Sequence, residues 1–280
     1  MYAISCDDHL GLNDAQTAIV ASATELTELA VDERIAHRSY PHDDDARSGN
    51  VRLRNFTAPG ISRMTAYRFH RHNLLNEHLF HVWPAAGYDF PALTTVIFEM
   101  PQVLILGADL LPIADVVFDR TYYGRWMLGY AELLQQHWPA IVAHRAGPEP
   151  APDPYFTNQI GSTMSVLLYL TPGGLEPARE FLLALTQHHS ELLANATPRT
   201  DALADAVEAR RVQLMTKAYK GLDYHSPASD SLAAVLGWPG ANLMFDAVFG
   251  PDDIDQGLEG KRTYLDVVVS PGTFSAPRSR

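Results

Sequence analysis

The stretch VRLRNFTAPGISRMTAYRFHRHNLLNEHLFHVWPAAGYDFPALTTVIFEMPQVLILGADLLP, residues 51–112, decides the fold. It holds five short runs rich in β-branched and aromatic residues, at 51–56, 64–70, 78–83, 93–98 and 103–110. The breaks fall at Pro59-Gly60, at 84–87 and at Met100-Pro101. Strands joined by so few residues pair as hairpins, so the block predicts an antiparallel sheet.

Outward from that block the periodicity turns helical. Ala15, Ile19, Val20, Ala23, Leu26 and Leu29 recur at helical spacing and predict a helix over 13–30, with Asn13 or Asp14 as N-cap. Residues 37–50, with Pro41, three consecutive aspartates and Gly49, predict an exposed loop. Downstream, a helix is expected over 125–138, a stiff connector (AGPEPAPDP) over 146–154, and a further strand over 164–170. After the Pro172-Gly173-Gly174 breaker come helices over 175–194, 201–220, 229–236 and 242–249. Strands first and helices later predict an α+β fold, a three-layer α/β/α sandwich with a central antiparallel sheet flanked by helices. The late helices have no other sheet to cover, so residues 1–280 are expected to form one domain.

Composition narrows the function classes. The 280 residues carry a net charge of −12 with no Lys/Arg-rich stripe to offset it, which argues against a nucleic-acid partner. The one compact basic group, Arg210, Arg211, Lys217 and Lys220, reads first as a solvated helix face. A single cysteine, Cys6, forms no internal disulfide and fits a reducing compartment. No uninterrupted apolar run is long enough to span a bilayer, and MYAISCDDHLG lacks the basic-then-apolar pattern of an export signal, so a cytoplasmic location is expected.

The block resembles the ferredoxin-dependent bilin reductases. The resemblance rests on Trp83-Pro84 at a strand end, the Tyr-x-x-Pro turn at 88–91, the Ala-Asp-Leu-x-Pro stretch at 108–112, and the helix, Leu236-Gly237 turn and final helix over 229–249. The red chlorophyll catabolite reductases of the same superfamily are matched about as well, through Pro154-Tyr155, Ser162 and residues 167–172. The resemblance implies an oxidoreductase that binds a linear tetrapyrrole between sheet and C-terminal helices. It would take electrons singly from ferredoxin, with no tightly bound cofactor of its own. Each electron needs a proton, hence carboxylates or histidines with pKa values shifted toward neutrality.

Laid over this chain, the family's acidic and histidine positions fall near Arg54, Thr65, Asn76 and Ser226, none of which is a carboxylate or histidine. Two expectations follow. Substitute donors, drawn from His70, Glu77, Asp223 and His225 beside Ser226, carry the chemistry, with Asn76 hydrogen-bonding the pyrrole nitrogens and lactam oxygens. Alternatively the pocket survives as a non-catalytic tetrapyrrole carrier, or the fold serves an enzyme acting on another aromatic substrate. A one-residue shift from Asn76 to Glu77 turns the side chain to the other face of a strand. Arg63, Arg68 and Arg71 are candidates to meet the propionates, since a planar guanidinium suits a carboxylate.

Other chemistries fit less well. His70, His72, His78 and His81 invite a metal or haem, but surface histidines near a turn explain them more simply. No Gly-rich phosphate loop and no Gly-x-Ser-x-Gly elbow is present. Tyr122, Tyr123, Trp126 and Tyr130 form a stripe that reads as core. Lys217 and Lys220 are the expected docking point for ferredoxin.

Overall fold

The computed structural model describes residues 11–42, 48–114, 119–147, 161–201, 203–215 and 227–250. Among these, eight strands form one open antiparallel sheet. They are β1 (Thr27–Leu29), β2 (His37–Tyr40), β3 (Gly49–Ala58), β4 (Ile61–Arg71), β5 (Leu75–Pro84), β6 (Ala92–Glu99), β7 (Leu104–Leu111) and β8 (Val166–Leu170). The strands from β3 to β8 are neighbours in chain order, and β1 and β2 share the outer edge of β3.

The hairpin reading of residues 51–112 is what the structure shows. Turns form where the sequence breaks: Gly60 takes a positive φ of 83° between β3 and β4, a region that favours glycine. Register irregularities at Phe56/Ala58 and Ile61/Arg63 flank that turn. Every residue of β5 is buried, which places it at the centre of the sheet with a layer on each face.

The helices supply those layers. On one face lie α1 (Leu12–Ala23) and α4 (Leu175–Ala194). Gln16 Nε2 of α1 donates to Thr95 Oγ1 of β6 at 3.2 Å and to Thr186 Oγ1 of α4 at 2.9 Å, tying three elements together. Against α4 packs α3 (Leu128–Val142), which is preceded by a π-helical turn at Tyr123–Met127. Tyr122, Trp126 and Tyr130 are core, as the aromatic stripe predicts, whereas Tyr123 is exposed.

On the other face lie the short α2 (Glu33–Ala36), packed on β3, and α6 (Pro227–Phe249). Ser231 near its start meets Arg71, and Asp246 and Ala247 near its end meet Arg63. Arg71 and Arg63 stand about 26 Å apart along β4, and α6 meets both of them, so it lies along that strand. The expected break between two terminal helices appears as a kink at Gly237, φ 69° and ψ 162°, just before Pro239. By length and composition Ser229–Phe249 is apolar enough to cross a membrane, with mean hydropathy 1.3. Its Ala241, Met244, Phe245, Val248 and Phe249 are buried in the core.

Two local expectations are corrected. The opening helix stops at Ala23, Thr24 is extended, and Thr27–Leu29 pairs with residues 55–57 of β3. Residues 37–40, expected in a loop, pair with 49–52 of the same strand. In both cases the free edge of β3 satisfies backbone groups that local pattern assigns elsewhere. Among the described residues, the 201–220 helix is α5 (Ala204–Val212). The 146–154 connector lies mostly outside those residues.

Arg199 fastens the chain after α4 to the end of the sheet. Its guanidinium contacts Asp89 at 3.2 Å, Asp119 at 3.4 Å and Asp201 at 2.7 Å, with 12% of its side chain exposed. The neighbouring acids hold its pKa above the ordinary arginine value, led by the Asp201 hydrogen bond. Replacing Arg199 with alanine leaves Asp89 and Asp119 facing each other across a thinly solvated gap. The expected cost is about 1–2 kcal/mol in urea unfolding, a shallow network being worth less than a deep one.

Candidate functional site

Side chains alternate across a sheet, so cross-strand register assigns each strand residue to a face. On the face under α1 and α4, Asn76, Arg68, His70, His78 and Glu99 cluster. Arg68 Nε donates to Asn76 Oδ1 at 3.2 Å, and Asn76 Nδ2 donates to Glu99 Oε2 at 3.0 Å and lies 3.2 Å from His78 Nε2. Asn76 is fully buried. Burial, then Arg68 and His72, push the His70 pKa down to about 4, and among the described residues neither ring nitrogen has a hydrogen-bond partner.

The opposite face carries Glu77, Arg63 and Arg71. Arg63 Nη1 donates to the carbonyls of Ala247 at 2.9 Å and Asp246 at 3.2 Å, completing the C-terminal end of α6. Arg71 Nη1 donates to Ser231 Oγ at 3.3 Å. Asn76 and Glu77 therefore look in opposite directions, and Arg68 is on the face away from Arg63 and Arg71. Asp223, His225, Ser226, Lys217 and Lys220 lie outside the described residues. The histidines at 70, 78 and 81, expected at the surface, are 2%, 2% and 4% exposed. Among the described residues, no three His, Cys, Asp or Glu side chains converge where a metal could sit.

On the α6 face one register row crosses five strands: Asn55, Thr65, His81, Thr94 and Asp109. All five are buried. Thr65 Oγ1 donates to Asn55 Oδ1 at 2.8 Å, and Asn55 Nδ2 donates to the Ala247 carbonyl at 2.7 Å, which joins the row to α6. The His81 ring sits 5.6 Å from that of Phe249, and burial pushes its pKa down to about 3, so it is neutral. Asp109 is held by Ser162, whose backbone N–H donates to Oδ2 at 2.7 Å and whose hydroxyl donates to Oδ1 at 2.5 Å. Burial raises the Asp109 pKa to about 6 against the pull of those bonds.

Beside this row the floor is apolar and half-exposed: Val96, Gly107 and Leu167 in one row, Phe98, Ile105 and Tyr169 in another. The back of the same strands is buried by the α1–α4 layer. Glu77 closes the far end, in register with Phe98. The half-exposed floor measures about 10 Å across β6–β8, and its two rows lie about 7 Å apart along the strands. With α6 along one side, this is a shelf for a broad, flat, mostly apolar molecule, with an acid and a neutral imidazole along one margin. An open groove of about 610 Å³ lies instead at the β1 edge. There Arg54 is already committed to Glu28 through two bonds of 2.9 Å.

Sequence reasoning used Asp109 and Ser162 only as parts of the family resemblance, gave neither a role in the site, did not single out Thr94, and placed His81 only in a turn-side cluster. The one available signal was an aspartate inside the apolar run LILGADLLP.

The fold is an open α+β sandwich whose eight-stranded antiparallel sheet is covered by the α1–α4 layer on one face and, among the described residues, stays half-exposed over β6–β8 on the other. Among solved structures, the crystal structure of tomato phytochromobilin synthase in complex with biliverdin is similar to it, with a TM-score of 0.68. The match covers 85% of this chain and 81% of that one at 14% identity, which shows the shared fold. No protein-family model matches the chain, and no curated protein matches it by sequence.

The folded pKa of Asp109, about 6, is above its ordinary 3.8. The stability contributed by that group is complete below about pH 4 and is lost as pH rises through about 6. Asp109→Asn is therefore expected to come close to the wild type in urea unfolding at pH 4 and to exceed it by about 3 kcal/mol at pH 7.

Proposed function

We propose that this chain binds a linear tetrapyrrole on the open face, between α6 and Ser162, and reduces it with electrons from an external ferredoxin. The observation that carries the reading is the buried Asn55–Thr65–His81–Thr94–Asp109 row beside a half-exposed apolar floor. The tomato protein, which shares the fold, was crystallised with biliverdin.

Reducing one carbon–carbon double bond takes two electrons and two protons. The electrons come from ferredoxin one at a time, with no tightly bound cofactor of the chain's own. Asp109 is the leading proton donor, because a general acid works best with a pKa near the working pH. Neutral His81 hydrogen-bonds the ligand from the same row, and Glu77 is the second acid at the far end of the shelf. Arg71, on this face at the start of α6, is the candidate for a propionate. Asn76, His70 and Arg68, on the sealed face, support the sheet behind the pocket rather than touch ligand.

A carrier is the second reading, favoured by one observation. In the row where the family resemblance calls for an acid or histidine, Thr65 donates its proton to Asn55 and is not a proton source for a ligand.

Adding biliverdin to the purified chain is expected to give a saturable, red-shifted visible band that changes on anaerobic addition of ferredoxin, its reductase and NADPH. A band that forms and persists would make the chain a carrier, and the lack of any band would remove the tetrapyrrole reading. Asp109→Asn is expected to keep the band and slow its conversion at least about 100-fold.

A further inference from the structure

Asp109 is 2% exposed, whereas Ser162, which touches both of its oxygens, is half-buried. A buried acid that gives up a proton at each turnover must take another from water, and the geometry restricts how. Met164 N–H donates to Ser162 Oγ at 3.1 Å, so one lone pair of the hydroxyl is occupied and its single proton points at Asp109 Oδ1. With Ser162 donating to each carboxylate oxygen and the Leu110 N–H as a further donor, three of about four lone-pair sites are taken, so a proton arriving from the Ser162 side needs the hydroxyl to turn away or pass its own proton across.

We propose that the Ser162 hydroxyl is the proton port of Asp109, relaying protons between solvent and the buried carboxyl. In the inward step the Ser162 O–H bond breaks as an Oδ1–H bond forms, and a proton from solvent restores the hydroxyl. No electrons move, and the donated and received protons balance. The role in turnover rests on the open face being the tetrapyrrole site, but the relay itself does not need a ligand.

Among the described residues this hydroxyl is the main polar side chain that meets Asp109. Burial of Asp109 is opposed by hydrogen bonds from Ser162, twice, and from the Leu110 N–H. In its register row the nearest groups are Thr94 and the neutral His81. From the helical layer Tyr130 reaches the same segment, donating to the Met164 carbonyl at 2.9 Å. In the next row on this face Asp109 has Gly107 and Leu167 for neighbours, which bring no charge. Ser162 is thus a positioning and relay residue acting through Asp109.

The test uses ligand-free protein. Infrared difference spectra follow the carbonyl stretch of protonated Asp109, identified by its loss in Asp109→Asn, at equilibrium and after a rapid pH jump. Ser162→Ala is expected to raise the Asp109 pKa by about one unit, since a charge-assisted donor is lost. It is also expected to slow protonation after the jump at least tenfold, and Ser162→Thr to restore both. A raised pKa with unchanged protonation rate would reduce Ser162 to a structural clamp and overturn the relay, as would an unchanged pKa and rate. If the wild type never reduces a tetrapyrrole, the function falls while the pH-jump result still decides the relay.

Discussion

A strand buried on both faces has to be covered twice, and β5 imposes that requirement on the rest of the chain. Its two sides are met by different means. The α1–α4 layer is fixed by polar ties such as Gln16 to Thr95 and Thr186, and it closes over β4–β7. Among the described residues the one long helix on the other side is α6, laid along β4 and pinned at both ends by arginines of that strand. One helix is about 10 Å wide and the sheet from β3 to β8 about 24 Å. The apolar floor on β6–β8 stays half-exposed for that geometric reason.

The chemistry of the open face follows from the same burial. An acid and an imidazole in one register row are driven in opposite directions by one cause: losing water disfavours charge, so Asp109 moves up toward 6 and His81 down toward 3. The result is a neutral imidazole in one row with a carboxyl that exchanges its proton near pH 6. The sealed face uses its polar groups differently. Arg68, Asn76 and Glu99 satisfy one another, which lets a polar cluster lie in the core.

Much of the fold was legible in the sequence, because period-2 runs bounded by Pro59-Gly60 and Met100-Pro101 leave little freedom once strands must pair. The failures occurred where pairing is non-local. Leu26 and Leu29 continue the helical phase of α1, yet the free edge of β3 draws Thr27–Leu29 into the sheet. The site was less legible. Adjacent residues such as Asn76 and Glu77 look like one cluster in a line of letters and occupy opposite faces in a strand. Asp109 is one letter in an apolar run. Its meaning comes from Thr94 and His81 beside it and Ser162 from fifty-three residues onward, relations that only register and tertiary contact supply.

The claim on which the account rests is that the ligand lies on the α6 face of β5–β8. Methyl-resolved NMR during a biliverdin titration tests it directly, since leucine, isoleucine and valine alternate between the faces of these strands. Val96, Ile105 and Leu167 are expected to shift strongly, while Leu106 and Leu168 behind them stay nearly still. Shifts concentrated on Leu106 and Leu168, or at the β1 edge around Leu29 and Val31, would contradict it.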